Sequence, residues 1–524
     1  MALYLSIVIQ ELDENTTSKN KQIAKNTVAL YIRMLFTTIV SLYTSRVVLR
    51  TLGVDDFGLY GLVGGVVAML GFINTALSGA TSRFITYELG RNDRVRLSKT
   101  FSSAKLIHIG IAVVLFVVAE TIGLWIVNSQ LVIPSERVVA ANIVYQCSIL
   151  TSVMTILQVP YNASIIAHEK MDVYAIIEIV NTSLKLLIVY LLLVISSDKL
   201  IIYSVFLLLV AVMVYLTYRI YCRRKFEECT TNCKSDKSVL KPMLVFAGWD
   251  LYGNMCVTVR QQGVNILLNI FYGLAVNAAN SITTMFNGAL SGFANNIVVA
   301  FRPQIVKSYS MSDWPRFNTL LVNAIQFSSL FVIMLSIPCF FEMEKILEIW
   351  LKEVPEYTVS FCRISLIANC FSIVNTVIGA GIHATGDVKR ISLITGTLFL
   401  STLFFAYVLL RLGFEADSVY VAYCVIILGV LISNICILKQ QIAAVKLRLL
   451  FLSLFKVLCV TALSLLPVML CYNSLETGLL RLLLVCTVSA LSISITTYAI
   501  VLNHSQREYV KSLVKEKFVK KVWR

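Results

Sequence analysis

"FAGWDLYGNMCVTVRQQGVNILLNIFYGLAVNAANSIT", residues 246–283, decides how this chain is read. It is a long apolar run broken at Gly273, so it reads as parts of two membrane spans, near 242–270 and 274–300, joined at a glycine turn. Each span carries a polar stripe. In the first, Asp250, Asn254, Thr258, Gln261 and Asn265 fall within roughly 80° at 100° per residue, with Arg260 on the flank. In the second, Asn277, Asn280, Thr284, Asn287, Ser291 and Asn295 share one helix face. Interhelical hydrogen bonding, worth about 0.6 kcal/mol per pair in a membrane, rarely needs such long stripes on adjacent helices. A wall of a water-filled cavity is the reading these stripes favour.

The rest of the chain shares the apolar pattern. Of its 524 residues 58% are hydrophobic and only 14% charged, with a mean hydropathy of +0.80, against roughly 25% charged in a soluble domain. About fourteen spans follow, near 27–49, 57–79, 104–127, 138–160, 173–195, 199–221, 242–270, 274–300, 319–341, 357–384, 391–411, 417–438, 451–472 and 478–502. The fold class is therefore all-α polytopic membrane protein. "MALYLSIVIQ" is short and followed by the polar "ELDENTTSKNKQ", so it reads as a tail rather than a signal peptide.

A net charge of +16 raises the question of nucleic acid, but its placement answers it. With both termini cytoplasmic, inner loops and tails hold about 31 Lys and Arg and the outer loops about 8. The basic charge sets topology and attracts anionic lipid heads; no nucleic-acid partner is expected. The thirteen cysteines sit mostly singly in spans, and the four histidines form no metal-ligand or catalytic grouping. No "GxxxxGK[ST]" motif is present, which argues against direct use of ATP. Neither a cofactor, a metal nor an enzymatic activity is expected.

The chain also repeats itself. "TLGVDDFGLYGLV" and "FYGLAVNAANSIT" both turn at a glycine, Gly53 and Gly273. "SRFITYELGRND" pairs with "FRPQIVKSYSMSD", aligning Arg83 with Arg302 and Asp93 with Asp313, and "IIAHEKMDVYAI" runs parallel to "GIHATGDVKRIS". A shared offset near 220 residues predicts two parallel six-span lobes with two spans appended. The expected boundaries are 1–221 for the first lobe, 222–241 for a cytoplasmic linker, 242–438 for the second lobe and 439–524 for the appended helices and basic tail. Two such lobes predict alternating access by rocking.

Charges inside spans cost about 2.5–3.5 kcal/mol each at mid-span, so each asks for a reason. The basic ones are Arg33, Lys105, Lys185, Arg260, Arg363 and Lys456; the acidic candidates for ion coupling are Glu120, Glu178 and Asp250, with Asp250 favoured because it lies on the polar stripe. Between the first two spans, "LYTSRVVLRTLGVDDFGLYGLV" (42–63) adds Arg46, Arg50, Asp55 and Asp56, which fit either a turn anchored at the membrane surface or a charged mouth.

Taken with "ATSRFITYELGRND", "VNAANSI", "FRPQIVKSY", "IHATGDVKR" and the long segment "NKQIAKNTVALYIRMLFTTIVSLYTSRVVLRTLGVDDFGLYGLVGGVV", the chain resembles the Wzx-type polysaccharide flippases. These belong to the multidrug, oligosaccharidyl-lipid and polysaccharide exporter (MOP) superfamily, with its MATE-like fold. "VNAANSI" departs from the pattern, which carries an arginine where Asn280 stands. The resemblance implies a flippase that moves undecaprenyl-diphosphate-linked oligosaccharide repeat units, of O-antigen, capsule or exopolysaccharide, from the cytoplasmic to the periplasmic leaflet of a bacterial inner membrane. It implies Arg46 as a diphosphate contact, Asp56 as a gating partner and Arg83 as a further substrate-binding residue at the opposite mouth. Arg260, Asn254, Gln261, Asn265, Asn277, Asn280 and Asn287 would bind the rest of the cargo, amides suiting sugar hydroxyls. Expected partners are that lipid, the surrounding membrane lipids, a polysaccharide polymerase and chain-length proteins. The competing readings are a MATE-like drug or cation antiporter and a membrane glycan polymerase or acyltransferase.

Overall fold

The computed structural model describes residues 14–52, 56, 59–60, 71–129, 133–194, 198–230, 236–351, 354–502 and 507–508. Helix dominates throughout, and there is no strand among the described residues. The first group of helices is α1 (Glu14–Leu52), α2 (Gly71–Arg91), α3 (Arg94–Val118), α4 (Leu124–Ser129), α5 (Val138–Ala167), α6 (Met171–Val194) and α7 (Lys199–Lys225). After these come α8 (Lys237–Ser310), α9 (Trp314–Phe341), α10 (Met343–Leu351), α11 (Thr358–Thr385), α12 (Lys389–Arg411), α13 (Ser418–Gln441), α14 (Leu447–Ser474) and α15 (Leu479–Ile500).

Ten helical stretches among the described residues are long and apolar enough to cross a membrane, and this is a multi-pass membrane protein. The other four expected spans lie in α1, in the two arms of α8 and at 57–79, most of which falls outside the described residues. The α8 arms carry the polar stripes, so helices that must face something wet lose the hydropathy that marks their neighbours.

Contacts divide the chain into two compact units. Ala29–Leu251 forms the N-unit; Tyr252 onward, with the segment up to Val28, forms the C-unit. In the N-unit α5 is central, packing on α2, α3 and α7, with α6 against α7. In the C-unit α11 holds the same position, packing on α9 and α13, with α12 against α13; α14 and α15 pack on each other and on α9.

Matching turns reinforce the repeat. After α2, Asn92 sits at φ 57° and the Asp93 carboxylate caps α3 by accepting from the Arg96 backbone N–H. After α8, Ser312 sits at φ 56° and Asp313 caps α9 by accepting from the Arg316 N–H, each residue 220 positions after its counterpart. A second pair of left-handed residues, Glu169 and Gly386, follows α5 and α11.

The segment expected as a linker, 222–241, packs within the N-unit. It is clasped to α3 by the pairs Arg94–Glu227 (2.8 Å) and Lys99–Asp236 (3.1 Å), and the Ser103 hydroxyl accepts the Asp236 N–H. Hydrogen bonds from Ser238, backbone then side chain, and from the Lys99 ammonium hold the Asp236 carboxyl down at about 2. Contacts divide the chain between Leu251 and Tyr252, inside α8.

Gly273 breaks α8 with φ 77° and ψ −164°, a region open essentially to glycine. An added Cβ there would meet nothing within 4 Å, so the constraint is backbone strain rather than crowding. Gly273→Ala is expected to cost about 1–3 kcal/mol, seen as a lower melting temperature of the detergent-purified chain. An unchanged melt would mean that the kink relaxes without cost.

Candidate functional site

The two arms of α8, on either side of Gly273, meet α11, α12 and α13 around a cavity of about 490 Å³ that lies wholly in the C-unit. Helical periodicity brings the polar residues there. Arg260, Gln261 and Asn265 come from the first arm, and Asn280, Thr284, Asn287 and Ser291 from the second. Five of the residues expected to bind cargo thus line one space: Arg260, Gln261, Asn265, Asn280 and Asn287.

Two hydrogen-bond relays organise its wall. Tyr420 donates its hydroxyl to Asn280 Oδ1 (2.5 Å), Asn280 Nδ2 donates to Asn265 Oδ1, and Asn265 Nδ2 donates to Gln262 Oε1 (3.2 Å). This relay joins the two α8 arms across the kink. In the second relay Ser291 donates to Asn369 Oδ1 (3.2 Å), and Asn369 Nδ2 donates to Asn287 Oδ1 (3.0 Å). A smaller pocket of about 40 Å³ shares Ser291, Asn369 and Ser372 with the main cavity and adds Asn295 and Thr376.

Among the described residues Arg260 is the one charged residue in the main lining, which includes no described Asp, Glu or Lys. Its guanidinium lies 4.2 Å from the Tyr423 ring centroid and 5.8 Å from that of Phe399. Such stacking stabilises a partly desolvated cation. The cavity therefore offers amides and hydroxyls, aromatic faces and one positive charge.

The other expected residues lie elsewhere. Asn254 does not line the cavity. In the N-unit, Arg83 is buried and stacks on Phe84 and Tyr87, and Asp250 Oδ2 lies 3.5 Å from where a Cβ on Gly79 would be. Asp56 is paired with Arg137 (2.7 Å), which also holds Asp198 (2.6 Å), the residue capping α7. Glu120 sits in a π-helical turn, Ala119–Gly123, where it accepts from Gln146 (3.1 Å) while Tyr145 donates to the Ala119 carbonyl (2.7 Å). Glu178 accepts from Tyr218 (3.1 Å) and Asn181 (3.4 Å). The side chains of Arg46 and Asn277 lie outside the described residues, as does Gly53.

Sequence reasoning missed Gln262, Ser365, Asn369, Ser372, Phe399, Tyr420 and Tyr423, all of which line the cavity. A signal existed for part of this set. "SLIANCFSIVNT" (365–376) carries Ser365, Asn369, Ser372 and Thr376 at helical spacing, the same kind of stripe as in α8.

Residues 23–309 match the family model described as "Polysaccharide biosynthesis protein". No curated protein matches the chain. Solved structures with the same fold include an outward-facing multidrug resistance MATE family transporter of the MOP superfamily. It is 13% identical with a TM-score of 0.70, covering 84% of this chain and 98% of its own. A MATE structure in the bent conformation is 12% identical with a TM-score of 0.69, covering 88% and 99%. A MOP superfamily transporter from Pyrococcus furiosus Vc1, described as having a binding pocket of reverse polarity that suggests a different function, is 12% identical with a TM-score of 0.68, covering 83% and 96%.

Proposed function

The chain belongs to the polysaccharide biosynthesis protein family and has the MATE-like fold of transporters, and from that premise we propose that it flips undecaprenyl-diphosphate-linked oligosaccharide repeat units from the cytoplasmic to the periplasmic leaflet. The observation that carries this reading is the C-unit cavity. Its volume falls in the range of about 300–1,000 Å³ usual for ligand sites. Amide relays give both donors and acceptors, as vicinal hydroxyls require, and tyrosine rings suit the apolar faces of sugars. Among the described residues the lining holds one guanidinium and no carboxylate, which disfavours a cationic drug and supports this reading over the antiporter.

In this mechanism sugar rings occupy the C-unit cavity while the prenyl tail stays in lipid, and Arg46 and Arg83 of the N-unit take the diphosphate. Arginine suits that role because its planar fork matches phosphate oxygens and its charge survives desolvation. Glu120, Glu178 and Asp250 are the carboxylates available for ion coupling, and Asp56, held by Arg137, is available for gating. The protein resides in a bacterial inner membrane with both termini in the cytoplasm, alongside a polymerase and chain-length proteins.

Removing the protein is expected to trap lipid-linked oligosaccharide on the cytoplasmic leaflet and abolish surface glycan. Leaflet-selective labelling of the glycan in intact cells and lysates reads this directly. Normal surface glycan together with altered dye efflux would reject the flippase in favour of the antiporter.

A further inference from the structure

The short helix α10 (Met343–Leu351) has three distinct sides. At 100° per residue Met343, Leu347 and Leu351 fall within roughly 80° of one another. Met343 and Leu347 are fully buried, in one cluster with Leu290 of α8 and with Cys362 and Leu366 of α11. Ile346, Ile349 and Trp350 fill an adjoining sector of roughly 100°, where Ile349 and Trp350 stay 55% and 45% exposed. Glu344 and Glu348 leave the helix opposite that flank, with the packed side between the two, and both carboxylate side chains are more than half exposed.

Water is a poor medium for two large apolar side chains set next to each other, and the place of α10 in the chain supplies another. α9 is long and apolar enough to cross a membrane and ends at Phe341, so α10, starting two residues later, lies where that span leaves the lipid. Phe340, in the last turn of α9, is exposed as well. Beside it Arg363 donates from Nε to the Phe340 carbonyl (3.0 Å) and lies 3.4 Å from Glu344, a cation held at headgroup level as snorkelling side chains are. Tryptophan favours that same zone, where its ring is half in lipid and its N–H half in water.

We propose that α10 is a membrane-surface anchor that binds phospholipid at the interface. Ile349 and Trp350 lie about 5–10 Å into the boundary between headgroups and acyl chains, and Glu344 and Glu348 stay in water. The proposal does not depend on which cargo is carried. The packed side of α10 rests on α8 and α11, two helices that also line the cavity, so the anchor sets the depth of that wall in the bilayer.

The test uses the full-length chain in vesicles of phosphatidylethanolamine and phosphatidylglycerol containing phosphatidylcholine brominated near either the carbonyl or the methyl end of its acyl chains. Subtracting W350F from wild type isolates the Trp350 emission. That emission is expected to fall about two-fold or more with the shallow bromines, less with the deep ones, and little with aqueous iodide. A second pair of variants tests sidedness with the reporter moved. I349W/W350F is expected to repeat the pattern, and E348W/W350F to reverse it, quenched by iodide and spared by brominated lipid. Unchanged detergent melts show that the variants fold. Trp350 quenched by iodide and not by lipid places the flank in water and overturns the anchor. Quenching by neither means that protein covers the flank, a second copy of this chain or another partner, and overturns it too. Equal behaviour of the 349 and 348 reporters removes the sidedness on which the anchor stands.

Discussion

Gly288→Phe is expected to stop transport while leaving the chain folded. Gly288 lies on the second arm of α8 and lines the cavity, and a Cβ built on it meets nothing within 4 Å. The backbone can therefore carry a larger residue without a clash at the first atom. Phenylalanine is also better than glycine inside a helix, so local stability does not suffer. The ring has one place to go, the space that cargo would fill. Displacing it, or compressing cargo around it, costs about 1–3 kcal/mol or more, a loss of transport of about five-fold to more than a hundred-fold. Flipping in vesicles measures the loss and a melt of the purified variant measures folding. Full transport by a well-folded Gly288→Phe chain would remove the cavity from the cargo path.

The second large effect concerns stability. Glu342, 1% exposed, caps α9 where it turns into α10, and Arg481 near the start of α15 reaches it. The guanidinium donates from Nη2 to Oε2 (3.1 Å), its Nε lies 2.6 Å from Oε1 as an ion pair, and it stacks 4.3 Å from the Tyr472 ring centroid. It fastens the two C-terminal helices to the rest of the C-unit. R481L leaves the carboxylate buried without its cation, which is expected to cost about 3 kcal/mol or more. E342L/R481L removes both charges and is expected to recover most of that loss, because two apolar groups carry no desolvation penalty. Melting of wild type, single and double variants in detergent separates these cases. Equal melts for all three would show that the pair contributes nothing to docking.

How much of this was legible in the sequence depends on the range of the interaction. The stripes in α8 were readable because helical rotation is a local rule, and it brings Arg260, Gln261, Asn265, Asn280 and Asn287 to one space. Asn254 shares the stripe but is not among the lining residues, whose first member on that arm is Val257. The tyrosines of α13 and the amide of Asn369 join through packing of helices far apart in the chain, a matter on which periodicity within a segment is silent. Ion pairs were hidden for the same reason. Arg137 finds Asp56 and Asp198 at separations of 81 and 61 residues, and Arg481 finds Glu342 at 139. Glycine at 273 was the exception, since its φ requirement is written in the residue itself.

The recurring stop-and-cap turns at Asn92–Asp93 and Ser312–Asp313 bear on descent. Neither turn uses glycine, so convergence on the least demanding residue does not explain them; a tandem duplication does. Each copy of one ancestral bundle then kept the same helix order about a central member, α5 in one unit and α11 in the other. In the C-unit, asparagines of both α8 arms border the cavity. The helical frame repeated in both halves is on this view the older inheritance, and the side chains that line the C-unit cavity are the later addition to it.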